Sequence, residues 1–281
     1  MEKFISKILA CSPSEVEQVV NDYIDELQRN SSDQRLGLSI GSISKKPHRG
    51  FISLGSTIKY TTDVLVGEVD SYSMNERDYL IDFCKYVNKY QIRTKNNFIN
   101  FLVSFMDWYF GPLLSEDDLR KAYLSSLVRC DDDGFPLDED VSKLTIGNFK
   151  RMGIAQCTEK AAATQNILSL FGFDSYYCSG EINTGEGIIN HAFNIVKNGD
   201  GYVVLDTSMP VIKYENGKEI LRIPYVSSRI PQQEINDILD GKGTISSTDY
   251  SIIDGKLVDD GKRMYGVNCA LTVCEREHKT K

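Results

Sequence analysis

Three side chains that together could catalyse acyl transfer follow one another in the middle of the chain: Cys157, His191 and Asp206. In such a site a thiolate attacks a carbonyl carbon, an imidazole moves protons, and a carboxylate selects the imidazole tautomer. The chain has 3 histidines, and His191 is the one that lies in an apolar, strand-like segment. Because a buried charge is costly unless it is paired, a histidine and an aspartate in apolar strands indicate a functional pair.

The segment between His191 and Asp206 predicts a β-hairpin. Its two apolar runs flank Asn198-Gly199, a strong signal for a two-residue type I′ turn, in which both central residues need positive φ. With that turn, His191 would stand directly opposite Asp206, and the two Cβ atoms would be about 5 Å apart. A turn at Asp200-Gly201 would instead shift the pair out of register, so we prefer the first turn.

Cys157 is expected at the N-terminus of a helix. Residues 158–171 contain no proline, include three alanines and end at Gly172, all of which favour a helix. Free N–H groups and the positive end of the helix dipole stabilise a thiolate at this position. The backbone N–H of Cys157, with the Gln156 side chain as a tentative second donor, could stabilise the oxyanion of a tetrahedral intermediate.

These motifs resemble the transglutaminase-like superfamily of papain-like cysteine acyl-transfer enzymes. The resemblance rests on Gln156-Cys157 at a helix start, the strand His191-Ala-Phe-Asn194 and the strand end Leu205-Asp-Thr-Ser208, within about residues 145–210. It implies an α+β fold, in which the nucleophile helix packs on an antiparallel sheet. It also implies that Cys157 is the nucleophile, His191 the base and Asp206 the group that orients His191.

The resemblance leaves the exact reaction open. Thr158 follows the nucleophile where cross-linking transglutaminases carry tryptophan, and the single tryptophan of the chain is Trp108. The expected activity is acyl transfer from amide bonds of proteins or peptides, as a peptidase, deamidase or transglutaminase. Two alternatives are an acyl-thioester-dependent N-acyltransferase, because Cys157-Thr-Glu159 also resembles arylamine N-acetyltransferases, and an inactive binding module.

Composition restricts the class of protein. A net charge of −8 argues against nucleic acid as the main partner, and no apolar run approaches membrane-spanning length. The 7 cysteines have no regular spacing, which is typical of free thiols in a reducing compartment, so a cytoplasmic protein is expected. Cys269, Cys274 and His278 lack a fourth ligand, so neither a metal nor another cofactor is predicted.

The rest of the chain is expected to support this site. Residues 1–139 are predicted as a mainly helical region with a short strand segment, and residues 140–281 as the catalytic core. The aromatic stripe Phe98, Phe101, Phe105 and Trp108 is expected to pack in the core. The element predictions are helices at about 12–29, 77–91, 96–110 and 115–130, a helical turn at 234–239, and strands at 57–67, 174–181, 211–214, 219–225 and 264–273.

Overall fold

The computed structural model describes residues 2–32, 35–37, 47–54, 56–59, 76–115, 118, 155–183, 188–227, 229–240, 244–253 and 256–267. These residues form an α+β fold, as the sequence predicts. The predicted helix at 115–130, except for Ser115 and Asp118, and the predicted strand beyond Lys59 lie outside them. The described part of the N-terminal region contains the helices α1 (Glu2–Ala10), α2 (Val16–Arg29), α3 (Asp78–Lys89) and α4 (Lys95–Phe110).

The local sequence explains where these helices begin and end. At α4 the Thr94 side chain accepts a hydrogen bond from the backbone N–H of Asn97 at 3.3 Å, and Gly111 follows the helix with a φ of 78°. The helix α2 begins at Val16 and not near residue 12, as predicted, because residues 13–15 form a turn in which the Ser12 hydroxyl and N–H donate to the Glu15 carboxylate. The helix α1 was not predicted.

The helix α5 (Cys157–Leu170) confirms the helix predicted at residues 158–171, shifted by one residue. It begins in a capping box between Gln156 and Glu159, and Gly172, with a φ of 71°, follows its last turn. Nearly all of its side chains are buried, so this short helix lies inside the molecule rather than on its surface. A second helix in this half, α6 (Gln232–Leu239), extends the predicted helical turn.

Six antiparallel strands form a closed ring. In the order of pairing they are β4, β5, β6, β7, β9 and β10, and β10 returns to pair with β4. Closure pairs both edges of each of these strands along part of its length. The strand bounds are β1 (Arg35–Gly37), β2 (His48–Arg49), β3 (Thr57–Lys59), β4 (Ser175–Asn183), β5 (Ile188–Asn198), β6 (Gly201–Glu215), β7 (Lys218–Ser227), β8 (Ile230–Pro231), β9 (Thr244–Ile253) and β10 (Lys256–Val267).

Two hydrophobic cores lie on the two faces of this sheet. The larger joins α1 to α5 with one face of β5 and β6, so residues of both predicted regions share one core. The smaller core includes Phe193, Ile195, Val204 and Tyr265, which come from the other face of β5 and β6 and from β10. Alternate residues of β5 and β6 therefore face different cores, as both faces of a covered sheet require.

The aromatic stripe of α4 is only partly in the core. Phe98 and Phe105 are buried against Phe83, with ring centroids 5.4 Å and 5.1 Å apart. Trp108 is 64% exposed, so its predicted burial was wrong. Its indole meets the Tyr86 ring edge to face at 5.4 Å, which covers one side of the indole and leaves the rest in solvent.

The hairpin between β5 and β6 forms, but its predicted register was wrong. Asn198 pairs with Gly201, so the two turn residues are Gly199 and Asp200. Gly199 has a φ of 67° and Asp200 does not have a positive φ, which fits a turn with glycine in the first central position. Asp206 is therefore displaced by two residues from its predicted partner position, which keeps it on the same face of the sheet.

Tertiary contacts explain why Asn198 stays in the strand. The Lys95 ammonium on α4 donates to the Asn198 side-chain oxygen at 3.2 Å and to the Lys197 carbonyl at 3.1 Å. A Cβ at position 201 would lie 2.6 Å from the Ile230 carbonyl oxygen, so the close approach of β8 requires glycine there. These contacts come from distant parts of the chain, and they override the local preference of Asn-Gly.

Candidate active site

The nucleophile candidate is held at the first turn of α5. Gln156 precedes it in extended conformation, and the backbone N–H of Gln156 donates to the Glu159 carboxylate at 2.6 Å. The Cys157 side chain then lies beside the free N–H groups of the helix N-terminus. Cys157 is only 7% exposed, so water contributes little to its solvation.

His191 and Asp206 are joined as the sequence predicts, although they are diagonal rather than opposite neighbours. The Nε2–H of His191 donates to Oδ2 of Asp206 at 2.7 Å, and both side chains are fully buried. Diagonal neighbours on one sheet face lie about 7–8 Å apart at Cα, which an imidazole and a carboxylate can span.

Cys157 is the third member of this group. The Cys157 thiol lies close enough to the His191 imidazole to contribute to the raised pKa of His191. Because Nε2 of the imidazole is bound to Asp206, Nδ1 is the ring nitrogen left for the thiol. The structure thus brings together the three residues that the sequence predicts, in the order thiol, imidazole, carboxylate.

Asp206 accepts hydrogen bonds at both of its oxygens. Oδ1 accepts from the N–H and hydroxyl of Ser208, at 3.1 Å and 2.9 Å, and from the N–H of Met209 at 3.1 Å. Oδ2 accepts from His191 and from the Tyr265 hydroxyl, at 2.7 Å and 3.0 Å. A carboxylate bound by this many donors is fixed in position and stays ionised.

The electrostatics of the pair favour an imidazolium and a carboxylate. Burial alone would lower the pKa of His191, but the charge and hydrogen bond of Asp206, together with Cys157, raise that pKa to about 10. Burial would raise the pKa of Asp206, but His191, the charge of Arg263 and the hydrogen bond from Ser208 hold it well below its usual range. The stable state is therefore a buried ion pair, which survives because each charge has a partner.

Gln156 has an unpartnered donor next to the thiol. Its Nε2 is buried and donates no hydrogen bond among the residues that the structure describes. A buried amide without a partner costs about 1–3 kcal/mol, so such a group is a candidate for binding a ligand. The tentative assignment of Gln156 as an oxyanion donor is consistent with this unfilled donor.

Two residues that sequence reasoning missed tie α5 to the strands. Asn194, the last residue of the His-Ala-Phe-Asn strand motif, donates to the Ala161 carbonyl of α5 at 3.1 Å. Thr207, next to Asp206, shares a hydrogen bond with Thr164 of α5 at 2.9 Å. Both are polar residues inside the two apolar strand motifs, and that placement was the signal in the sequence. They set the position of the helix relative to His191 and Asp206.

Tyr265 was also missed, since it lies 59 residues after Asp206 and belongs to no local motif. It reaches the site because β10 closes the ring against β4, where Tyr265 pairs with Ile182. Burial of its ring in the smaller core directs the hydroxyl to Asp206. Only the long-range pairing of β10 brings the two residues together, and the sequence alone does not show that pairing.

No group of three histidine, cysteine or acidic side chains is placed to hold a metal ion within the described ranges. Cys269, Cys274 and His278 lie outside those ranges. No described helix is both long and apolar enough to cross a membrane. Comparisons of the chain with protein-family models, with curated proteins and with solved structures find no match.

Proposed function

We propose that this protein is a cysteine-dependent acyl-transfer enzyme with a papain-like catalytic core, acting on amide bonds of proteins or peptides. The observation that carries the proposal is the buried His191–Asp206 pair, joined at 2.7 Å, with the Cys157 thiol beside the imidazole. Burial of an imidazole and a carboxylate is costly for stability alone, so their pairing beside a thiol at a helix N-terminus supports a catalytic role.

The proposed mechanism uses these groups in both half-reactions. His191 takes the proton of the Cys157 thiol as the sulfur attacks the amide carbonyl, and a tetrahedral oxyanion forms near the Cys157 N–H and the Gln156 amide. His191 protonates the nitrogen as the carbon–nitrogen bond breaks, which releases an amine and leaves a thioester on Cys157. His191 then takes a proton from the incoming acceptor, which attacks the thioester and regenerates the thiol.

The acceptor decides the type of product. Water gives hydrolysis, as in a peptidase or deamidase, and an amine gives transamidation. All four cysteines in the described part of the chain, Cys11, Cys84, Cys157 and Cys178, are free, which supports a reducing compartment such as the cytoplasm. The proposed mechanism needs no cofactor, because a thiolate and an imidazole supply both the nucleophile and the proton transfers.

The first test measures the reactivity of Cys157 without any knowledge of the substrate. The protein is treated with less than one equivalent of iodoacetamide at pH 6, and the labelled cysteines are identified by mass spectrometry. We expect Cys157 to be labelled before the others, because its thiol lies beside the His191 imidazole, which can take up the thiol proton as the sulfur attacks. Burial raises the pKa of Cys84 and of Cys178, so both should react slowly.

A matched control separates reactivity from accessibility. His191→Gln removes the imidazole but leaves Cys157 in place, so labelling at pH 6 should fall by about an order of magnitude. Preferential labelling of Cys11 or Cys178 in the wild-type protein would contradict the proposal. Amide and thioester substrate libraries then separate amide-bond acyl transfer from acyl-thioester-dependent transfer, and the absence of any acyl-enzyme on Cys157 would indicate a binding module.

A further inference from the structure

We propose that Tyr265 is a positioning residue of this site, which acts on His191 through the carboxylate of Asp206. The inference rests on the proposed function and extends the group from three residues to four. Its role is to hold and tune the carboxylate that orients the base.

The geometry places two donors on one oxygen. Both the Nε2–H of His191 and the hydroxyl of Tyr265 donate to Oδ2 of Asp206, at 2.7 Å and 3.0 Å. The other oxygen is occupied by the Ser208 and Met209 donors. The tyrosine hydroxyl therefore competes with the imidazole for the negative charge on Oδ2. The Ser208 and Met209 donors compete less directly, because they bind the other oxygen.

Burial makes this competition effective. Tyr265, Asp206 and His191 are each at most 1% exposed. The rings of Tyr265 and His191 lie 6.4 Å apart, and the Tyr265 ring packs edge to face on Phe193 at 4.8 Å. In a site with so little water, a hydrogen bond to a charged group acts at nearly full strength.

Within the described residues, the groups that act on His191 and Asp206 come from neighbouring elements. His191 meets the thiol of Cys157 from α5 and the carboxylate of Asp206 from β6, and Arg263 of β10 acts on the same carboxylate. The residue of β4 that pairs with His191 is Gly180, which carries no side chain. Removing or strengthening the Tyr265 hydroxyl should therefore change mainly the titration midpoint of His191.

The sign of the effect follows from the shared oxygen. A hydrogen bond from Tyr265 stabilises the carboxylate charge and makes Asp206 a weaker partner for the imidazolium. Loss of the hydroxyl should raise the pKa of His191, and a stronger donor should lower it. A residue that only fills space in the core would not reverse the sign between these two changes.

The experiment uses Tyr265→Phe and a site-specific Tyr265→3-fluorotyrosine in the full-length chain. The His191 imidazole is titrated by NMR on histidine-labelled protein, which carries 3 histidines and so gives a simple spectrum. We expect the His191 midpoint to rise by about half a pH unit or more in Tyr265→Phe and to fall in the fluorinated protein, because fluorine strengthens the phenol as a donor.

Tyr202→Phe is the matched control. Tyr202 is buried in the same core, but its hydroxyl contacts Asp174 at 3.5 Å rather than Asp206, so its loss should leave the His191 midpoint unchanged. Equal midpoints in wild type and both Tyr265 proteins, or a shift of the same sign in both, would overturn the inference.

The titration remains decisive in two difficult cases. If Tyr265→Phe does not fold, the 3-fluorotyrosine protein, which keeps the shape and hydroxyl of tyrosine, still gives the sign. The titration also needs no substrate, so it can succeed or fail independently of selective labelling at Cys157, which tests the proposed function.

Discussion

Replacing Asp206 with asparagine is the sharpest test of the Cys157–His191–Asp206 group, because it changes one atom type inside a fully buried network. The asparagine oxygen can replace Oδ1 and keep the three hydrogen bonds from Ser208 and Met209. The amide NH2 then stands where Oδ2 was, and it can only donate. His191 must respond by accepting at Nε2, which moves its proton to Nδ1 and prevents it from acting as a base toward Cys157.

The size of the effect can be worked out from the burial of the pair. Removing one partner of a buried ion pair costs about 3–5 kcal/mol. If this cost falls on the step in which His191 carries positive charge, then about 1.4 kcal/mol per tenfold change gives a loss of kcat of roughly two to four orders of magnitude. The KM should change little, because Asp206 is buried away from any substrate.

The assay compares kcat, KM and melting temperature for wild type, Asp206→Asn and the control Asp174→Asn. The control removes the same charge from the partly exposed Asp174–Arg49 ion pair, whose atoms are 2.8 Å apart, and it should keep full activity. A kcat for Asp206→Asn within threefold of wild type would refute the reasoning. So would a variant that unfolds but regains full activity in a stabilised background, because Asp206 would then be a structural residue.

Three further outcomes are expected from the same site. Cys157→Ala should abolish turnover while the free energy of unfolding changes by about 1 kcal/mol or less, since a small side chain leaves little cavity; chemical denaturation and a turnover assay check this. Gln156→Ala should lower kcat by about a hundredfold through a lost oxyanion donor, and lose about 1 kcal/mol of stability with the helix cap; kcat within threefold would remove Gln156 from the site. Because the pKa of His191 rises from 6.5 to about 10 on folding, its stabilisation should be complete below pH 6.5 and disappear as pH rises to about 10. Melting temperatures measured across that range should fall, and the fall should be smaller in His191→Asn.

The helices and the residues of the site could be predicted from the sequence where the signal is local. The α5 segment has helix-forming residues and a glycine stop, and both act within a few residues of each other. The apolar alternation around His191 and Asp206 placed both residues on one sheet face. A shift of two residues does not change the face, so the site prediction survived the wrong register.

The register itself depends on long-range contacts that no local pattern contains. The chain has a second Asn-Gly, at Asn216-Gly217, and there both residues have positive φ, at 51° and 73°, with Glu215 paired to Lys218. This is the two-residue turn that the dipeptide favours. At Asn198-Gly199 the same dipeptide lies beside Lys95 of α4, and its hairpin lies beside β8, and these contacts select a different turn. Asn-Gly therefore forms its preferred two-residue turn at Asn216-Gly217, and tertiary packing selects a different turn at Asn198-Gly199.

Tyr265 shows why a candidate site read from sequence is incomplete even when its central residues are right. The thiol, imidazole and carboxylate come from α5, β5 and β6, which lie close together along the chain with only β4 between them, whereas the fourth group comes from β10. Its place at Oδ2 depends on the pairing of β10 with β4, which closes the ring. The position of the Tyr265 hydroxyl at Asp206 therefore depends on ring closure, because the β4–β10 pairing holds Tyr265 in place. A substitution at that seam should change the pH dependence of the site more than it changes the reactivity of the thiol.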